Sequence, residues 1–417
     1  MATQRTLVNK VGPWVCGNEF WDREAEVSRL IELLDARENI LLVAPRRVGK
    51  TSLMRETLRQ LDVRQRDYGL FVDVQDCVSP EDVVVSISMA TRPVQNLWAK
   101  ILDVFRHTME ELTKRVESIG NDLIKIKLRE GVLADWQAKG DRILDELAKA
   151  DKPLILCLDE LPVMLIRLLL ADGDNVSPKT RQAAELFLSW LRKNAQMHQG
   201  RIRLVICGSI GLEPVVRRFG LSGTIAHLRP FHLSPWTREV ADGCLTALAE
   251  NYGLVLQAGV RSAMLDELAC YIPHHLQMFF GHVLDDCRSR KNLAPTTEDI
   301  VRVYSQYMLG ARGHAELADY EERLRRVLGP ELQPLALDLL TQAAVTGTLT
   351  AKDANILAMS AGLVRSQKKT AIRTVLDVLE HDGYLTRCEG ADEAFVFVSK
   401  LVRDWWRRRF GFGFKPV

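Results

Sequence analysis

One run of residues has the pattern of a loop that binds phosphate groups. It follows a short apolar segment, residues 39–43, and precedes a stretch with leucines at helical spacing, Leu53 and Leu58. In such a loop the backbone N–H groups face phosphate, while a lysine and a hydroxyl side chain reach the terminal phosphates and Mg²⁺. The nucleotide-binding residues predicted on this basis are Ala44, Pro45, Arg46, Arg47, Val48, Gly49, Lys50, Thr51 and Ser52.

Individual positions in the loop have separate expected roles. Lys50 is predicted to reach the β- and γ-phosphates, and the Thr51 hydroxyl to ligate Mg²⁺. Gly49 lies where the chain passes closest to phosphate, and the helix is predicted to begin there. Ala44 stands where a first glycine is usual, so the turn there is expected to use ordinary backbone angles, because a methyl group restricts positive φ.

Two adjacent carboxylates end a second apolar run. Residues 154–158 are a predicted buried strand, and Asp159 and Glu160 follow it directly. Mg²⁺-assisted phosphoryl transfer uses acids at the strand end that faces the phosphate loop. We therefore expect Asp159 to hold the metal through water and Glu160 to polarise an attacking water.

Ser209 completes the predicted catalytic set of Lys50, Glu160 and Ser209. It follows the predicted strand 203–207, where a polar side chain could orient the attacking water. A Gly-Ser sequence after a strand is also typical of a plain turn. A cation for the γ-phosphate could come from three arginines, each of which could equally be a surface cation. These are Arg217, Arg218 and Arg229.

The composition is that of an ordinary globular protein. The 417 residues are enough for two or three domains, and 47% are hydrophobic and 26% charged. A net charge of +2 gives no global basic field, so any binding of nucleic acid would use local patches. The eight cysteines include no Cys-x-x-Cys pair, which indicates a reduced, cytoplasmic protein. No apolar run predicts a signal peptide or a membrane span.

Short predicted strands alternate with helical stretches in the first half of the chain. They lie at residues 39–43, 68–74, 154–158, 203–207 and 227–233. This alternation predicts an α/β fold with a parallel sheet. Residues 91–148 have helical spacing and are predicted to form a helical insertion. From 238 to about 309 amphipathic helices without strands predict a helical lid.

The C-terminal region has the element order of a winged helix. Helices are predicted at 335–344, 350–359 and 368–382, followed by strands at 384–388 and 394–398 around a turn with Gly390. The predicted domains are residues 1–236, 237–320 and 321–417.

Motifs spread over nearly the whole chain support a family resemblance. They are Phe-Trp-Asp-Arg-Glu-Ala-Glu at 20–26, Pro-Arg-Arg-Val-Gly-Lys-Thr-Ser-Leu at 45–53, Leu-Asp-Glu-Leu-Pro at 158–162, Cys-Gly-Ser-Ile-Gly-Leu at 207–212, Leu-Ser-Pro-Trp at 233–236, Ile-Pro-His-His-Leu-Gln at 272–277, Asp-Gly-Tyr-Leu at 382–385 and the segment 397–406. With these motifs the chain resembles the archaeal-type ATPases of the STAND class, a branch of the AAA+ P-loop proteins.

The resemblance implies a core sheet of order 5-1-4-3-2, a helical lid and a C-terminal winged helix. It also implies ATP and Mg²⁺ as cofactors, and it places Pro273 near the nucleotide. Asp22 and Tyr271 depart from the family pattern, because glycine is usual at those positions. AAA+ proteins carry a second sensor arginine in the lid, and His274 or His275 would replace it poorly, which implies modest turnover.

Basic residues near the start of the last predicted helix are candidates for contact with DNA phosphates. They are Lys368, Lys369 and Arg373, and acidic residues follow only later in the helix. Residues 364–417 contain eleven Lys and Arg against seven Asp and Glu, a net charge of +4. Local charge of this kind permits DNA binding without requiring it.

Two further basic runs have open interpretations. The cluster Arg407, Arg408 and Arg409 could bind phosphates, or Trp405 and Trp406 could close the core while the arginines form a solvated helix end. The run of alternating apolar and basic residues at 124–129 could be a short strand or an exposed charged face.

These features together predict a Mg²⁺-dependent ATPase that works as a molecular switch, with ATP and Mg²⁺ held by Lys50, Thr51 and Asp159 between the sheet domain and the lid. The alternative is an ATP-licensed DNA-binding assembly protein of the replication-initiator or transposition-regulator type. A third possibility is a scaffold that docks a protein partner through the helical insertion or the winged helix. Each of these is compatible with a homo-oligomer.

Overall fold

A computed structural model describes residues 7–106, 121–133, 135–173, 176–361, 365–388 and 394–417. By contacts between residues, the described chain divides into two units. One comprises Glu24–Val43 and Leu53–His232; the other comprises the segment up to Arg23, Ala44–Ser52 and Leu233–Val417. The predicted phosphate loop, Ala44–Ser52, therefore groups with the C-terminal unit.

A five-stranded parallel sheet forms the centre of the first unit. Its strands are β1 (Asn39–Val43), β2 (Tyr68–Asp73), β3 (Leu154–Asp159), β4 (Ile202–Ile206) and β5 (Leu228–His232). The order is β2-β3-β4-β1-β5, which confirms the order 5-1-4-3-2 read from the other edge. Every residue of the inner strands β3 and β4 is buried, whereas the edge strands β2 and β5 each contain exposed residues. Continuous apolar runs suit inner parallel strands because both of their faces are covered.

Helices connect these strands. They are α1 (Glu24–Asp35), α2 (Lys50–Val63), α3 (Pro80–Ala90), α4 (Gln95–Val104), α5 (Asn121–Val132), α6 (Trp136–Ala148), α7 (Leu161–Leu169), α8 (Pro178–Met197) and α9 (Leu212–Arg218). The run 124–129 lies in α5, so the interpretation as a strand was wrong. Ile124 and Leu128 are buried four residues apart, at the spacing of one helical face. The described parts of the predicted insertion 91–148 contain helices α4, α5 and α6 with short turns beside them, and residues 107–120 and 134 lie outside the described residues.

The second unit begins its helical part after β5. Its helices are α10 (Arg238–Tyr252), α11 (Ala258–Leu268), α12 (Pro273–Ser289) and α13 (Thr297–Val303), followed by one π-helical turn, Tyr304–Met308. Thr237 and Thr296 cap two of these helices by accepting hydrogen bonds from backbone N–H groups in the first turn. The sequence predicted amphipathic helices without strands from residue 238 to about 309, and the structure has α10 to α13 there.

A long helix, α14 (Ala311–Thr346), follows and is interrupted at Gly329. Gly329 has φ 69° and ψ 177°, and Pro330 comes next. Since proline cannot continue the hydrogen-bond ladder of a helix, the Gly-Pro pair separates a first part, residues 311–328, from a second. Residue 320, where the sequence predicts the lid to end, lies inside the first part.

The remaining elements form a small sheet covered by helices. They are β6 (Leu349–Thr350), α15 (Ala351–Ser360), α16 (Arg365–His381), β7 (Leu385–Arg387), β8 (Ala394–Phe397) and α17 (Lys400–Phe410). The sheet order is β6-β8-β7, and both pairs are antiparallel. Gly390 lies outside the described residues.

Aromatic residues and one buried ion pair hold this C-terminal part together. Trp405 and Trp406 are 2% and 0% exposed, so the prediction that they close the core is confirmed. Arg323 on the first part of α14 lies 3.2 Å from the carboxylate of Asp382, which follows α16, and both side chains are almost fully buried. The pair ties α14 to the turn between α16 and β7.

Among the described residues, no helix combines the length and the apolar composition needed to cross a bilayer.

Candidate functional site

The predicted phosphate loop has two residues in the left-handed backbone region. Arg47 has φ 62° and Gly49 has φ 104°. A Cβ atom added at Gly49 would meet no atom within 4 Å, so glycine is needed there for its backbone angle and not for space. Ala44 has no positive φ, as its methyl group led us to expect. Helix α2 begins at Lys50 and not at Gly49, because the positive φ of Gly49 is incompatible with a right-handed helix.

Lys50 folds back over the loop that precedes it. Its ammonium group donates hydrogen bonds to the carbonyl oxygens of Ala44, at 3.0 Å, and Pro45, at 3.2 Å. The residue is only 8% exposed. The lysine and the N-terminal turn of a 14-residue helix thus place positive charge and backbone N–H groups at one point, which favours an anion there.

The two arginines of the loop are paired with acids on helix α14. Arg46 forms an ion pair with Asp319, and Arg47 forms one with Glu316. The two acids are three residues apart and so lie on the same face of the helix. All four side chains are partly buried. Salt and water therefore weaken the attraction within these ion pairs less than they weaken pairs on an exposed surface.

Arg46 also lies close to other buried groups. Its guanidinium is 5.9 Å from the centre of the Tyr320 ring. Burial, followed by the positive charges of Arg323 and Arg47, lowers the pKa of Arg46 to about 10. Arg46 therefore stays protonated at neutral pH, while its surroundings favour a negative partner.

Two histidines follow Pro273 at the start of α12. The imidazole of His274 contacts the Arg47 guanidinium, and its Nε2 lies 3.3 Å from the Glu316 carboxylate. Burial and the neighbouring arginines lower the pKa of His274 to about 3, and burial lowers the pKa of His275 well below its usual value. Both rings are therefore neutral at physiological pH, so neither supplies the positive charge of a sensor arginine.

The loop also touches the turn that follows α16. A Cβ atom on Gly383 would lie 2.7 Å from the Pro45 Cβ, so only glycine permits this approach. The neighbouring Tyr384 donates a hydrogen bond of 2.6 Å from its hydroxyl to the carbonyl of Tyr320 on α14. The loop, the first part of α14 and the turn around Gly383 are in mutual contact.

The carboxylates predicted for catalysis end β3. Asp159 is the last residue of the strand and is 5% exposed, and its Oδ1 accepts hydrogen bonds from the Glu160 N–H at 3.0 Å and the Cys207 thiol at 2.9 Å. Glu160 adopts φ 63° and ψ 25°, the left-handed region that non-glycine residues rarely occupy. Strain of this kind costs about 1–3 kcal/mol and is concentrated at functional positions.

Ser209 lies against the second of these carboxylates. Its backbone N–H and its hydroxyl both donate to the Glu160 carboxylate, at 2.9 and 2.8 Å. Ser209 therefore contacts the predicted catalytic acid. The sequence pattern could not distinguish this position from a plain turn.

A third carboxylate at this edge of the sheet was missed. Asp73 ends β2 in register with Asp159, and burial raises its pKa, with a smaller contribution from the negative charge of Asp159. The Gln75 N–H donates to Asp73 at 2.8 Å and acts in the opposite direction. Strand pairing could have identified Asp73, because parallel strands that end together bring their last residues together.

The three arginine candidates for a γ-phosphate cation lie in or near the last part of the first unit. Arg229 lies 3.1 Å from Glu38 on the exposed surface, and Arg218 lies over the Phe219 ring at 5.0 Å. Arg217 is in the last turn of α9. The geometry favours the interpretation of Arg229 as a surface cation and leaves the other two as predictions.

Helix α16 exposes the basic residues predicted to contact DNA. Lys369 and Arg373 are exposed and one helical turn apart, and Lys368 is half-buried beside them. In the described part of the chain none of the three forms an ion pair. In the second basic cluster, Arg409 pairs with Glu321 at 2.8 Å and Arg408 donates to the Ser305 carbonyl at 2.9 Å.

Taken one by one, the predicted site residues have chemistry suited to phosphate or to a hard divalent cation. Lys50 and the first turn of α2 offer donors to phosphate oxygens. The Thr51 hydroxyl and the Asp159 carboxylate are oxygen ligands, which Mg²⁺ prefers.

The structure is similar to those of two archaeal proteins. The Walker-type ATPase PABY2304 of Pyrococcus abyssi has a TM-score of 0.61 at 15% identity, with 95% of this chain and 99% of that chain covered. The Aeropyrum pernix ORC2 protein, solved in ADPNP-ADP complexes, has a TM-score of 0.52 at 11% identity, with 98% of each chain covered. No protein-family model and no curated protein matches the sequence. At these identities the likeness shows the fold alone, which is the AAA+ P-loop α/β fold.

Proposed function

We propose that the protein binds ATP with Mg²⁺, hydrolyses it at a modest rate, and works as a molecular switch of the STAND type. One observation carries this proposal: the phosphate loop, through Pro45, Arg46 and Arg47, touches α14 and the turn at Gly383. A nucleotide on the loop would meet the groups that position the C-terminal elements. It can shift their arrangement only if it binds one arrangement better than another.

The roles of the site residues follow from their chemistry. Lys50 binds the β- and γ-phosphates, together with backbone N–H groups of the loop. Thr51 and Asp159 hold Mg²⁺, and that cation neutralises phosphate charge when it is bound. Glu160 accepts hydrogen bonds from the attacking water, and Ser209 orients the Glu160 carboxylate. Pro273, at the start of α12, lies near the nucleotide in this proposal.

The chain connectivity supports this assignment. The loop continues directly from the end of β1, and β1 and β3 are parallel strands separated only by β4. Carboxyl ends of parallel strands lie at one edge of the sheet, where ligands of α/β proteins bind. We also propose three domains: residues 1–236 as the ATPase core, 237–320 as the lid and 321–417 as a winged helix in a cytoplasmic protein.

The test is steady-state ATP hydrolysis by the purified protein, with Lys50→Ala and Glu160→Gln beside it. We expect Lys50→Ala to abolish ATP binding, and Glu160→Gln to bind ATP but lower kcat by about 10²-fold or more. Normal turnover by Glu160→Gln would remove Glu160 from the mechanism. ATP binding that survives Lys50→Ala unchanged would place the nucleotide elsewhere.

The exposed basic face of α16 supports a second candidate, an ATP-licensed DNA-binding assembly protein. Lys369 and Arg373 are exposed and form no ion pair with any described residue, and they lie on the helix that a winged helix places in the major groove. The same assay with duplex DNA separates the two candidates. Stimulation of hydrolysis by DNA favours the DNA-binding protein, whereas turnover indifferent to DNA favours a switch with a protein or small-molecule trigger.

A further inference from the structure

We propose that Glu316 and Asp319 form an acidic latch, in which their carboxylates compete with the phosphates of a nucleotide for Arg46 and Arg47. The inference rests on the proposed nucleotide binding and adds a regulatory element to that site. In this structure each guanidinium of the loop already has a carboxylate partner on α14.

Charge balance supports the competition. Arg46, Arg47 and the neighbouring Arg323 contribute three positive charges, which Glu316, Asp319 and the buried Asp382 balance. A triphosphate on the loop would bring several negative charges next to Glu316 and Asp319. Like charges at close range in a partly buried site repel strongly, so the acids and the phosphates favour different positions of α14.

His274 contributes no charge to the latch, although its ring contacts two of the charged side chains. Its ring contacts both Arg47 and Glu316 and is neutral at physiological pH, because burial and the arginines lower its pKa to about 3. It can accept a hydrogen bond from Arg47 but cannot attract phosphate by charge. The charge that decides the position of α14 is thus carried by Glu316 and Asp319.

Release of the latch would reach the C-terminal elements through α14. The first part of this helix carries Tyr320, whose carbonyl accepts a hydrogen bond from Tyr384, and Arg323, which pairs with Asp382. The interruption at Gly329 and Pro330 lets this part move as a separate helix. Phosphate binding at the loop is thereby coupled to the turn at Gly383.

The test is the affinity of the full chain for Mg·ATP and for tripolyphosphate, measured by titration calorimetry. The double variant Glu316→Gln with Asp319→Asn removes both charges with little change in shape, and Glu322→Gln removes an exposed charge from the same helix as a control. We expect the double variant to bind both anions about tenfold more tightly than the wild type, since coupling of this kind changes affinity by about 5- to 150-fold. The control should match the wild type.

Equal affinities in the wild type and the double variant would overturn the latch and leave the proposed function intact. A complete lack of ATP binding in both would instead overturn the proposed function, and the latch with it. Should the double variant fold poorly, hydrogen exchange of the wild type decides the question. The latch requires faster exchange over residues 311–328 when ATP is added, and unchanged or slower exchange there would overturn it.

Discussion

The hydroxyl of Ser209 donates a hydrogen bond of 2.8 Å to the carboxylate of Glu160, and the backbone N–H of the same residue donates a second one at 2.9 Å. Two donors from one residue fix the orientation of the carboxylate, which sits on a strained left-handed residue at the end of β3. Glu160 is therefore held in place both by its own backbone and by the end of the neighbouring strand.

Removal of the Ser209 hydroxyl should lower turnover more than substrate binding. We expect Ser209→Ala to reduce kcat by about tenfold with little change in KM, because positioning accounts for only part of the 10²- to 10⁴-fold contribution typical of a general base. Ser209→Thr keeps the hydroxyl and is the matched control. A change confined to KM, or an equal loss in the threonine variant, would contradict this role.

The close approach of Gly383 to Pro45 predicts an unusually large effect of a single methyl group. Gly383 and Gly253 have similar backbone angles, φ 75° and 66°, but a Cβ on Gly253 would meet nothing within 4 Å. Alanine at either position should lower the free energy of unfolding by about 1–2 kcal/mol, because an alanine in the left-handed conformation is strained. Gly383→Ala should lower the free energy of unfolding by at least about 1 kcal/mol more than Gly253→Ala, because its methyl group also overlaps Pro45 in the loop.

Urea denaturation followed by tryptophan fluorescence compares the two alanine variants, since Trp405 and Trp406 are buried in the C-terminal part. The midpoint should fall further for Gly383→Ala than for Gly253→Ala. Equal midpoints would mean that the loop moves aside at no cost.

Much of the fold could be predicted from local patterns. The five strands lie within one residue of the predicted ranges at either end, because continuous apolar runs in parallel strands leave a clear signal. The predicted phosphate loop lies between β1 and α2, and Asp159 ends β3, as residue type and spacing led us to expect; the nucleotide-binding and catalytic roles of these residues stay predictions.

The remaining features depend on contacts between distant parts of the chain, which spacing does not encode. No local pattern indicates that Arg46 faces Asp319, 273 positions later, or that the close approach of Pro45 requires glycine at position 383. Asp22 shows a local signal that could have been used. It stands where glycine is usual and has φ 56°, a conformation that aspartate tolerates better than most residues.

The buried pair of Arg323 and Asp382 should show strong energetic coupling. Arg323→Met alone removes the guanidinium that pairs with the buried Asp382 carboxylate, and we expect it to destabilise the protein by about 3–5 kcal/mol. Addition of Asp382→Asn should restore part of this loss, because the buried negative charge of residue 382 is then gone. Thermal denaturation of the two single variants and the double variant forms a double-mutant cycle. Additive effects would show that the pair contributes no specific interaction.

The exposed face of α16 predicts how the protein would respond to salt if it binds DNA. Lys369 and Arg373 are exposed one turn apart, without an ion-pair partner in the described chain. Each lysine or arginine that contacts a phosphate releases about one counterion, so Lys369→Ala and Arg373→Ala should each reduce the slope of log K against log salt concentration by about 1.

Lys352→Ala, an exposed lysine on α15, is the control and should leave the slope unchanged. Fluorescence anisotropy with a labelled duplex at several salt concentrations gives these slopes. Slopes that fall equally in all three variants would indicate nonspecific attraction to the surface, and slopes that stay constant would exclude α16 from the DNA contact.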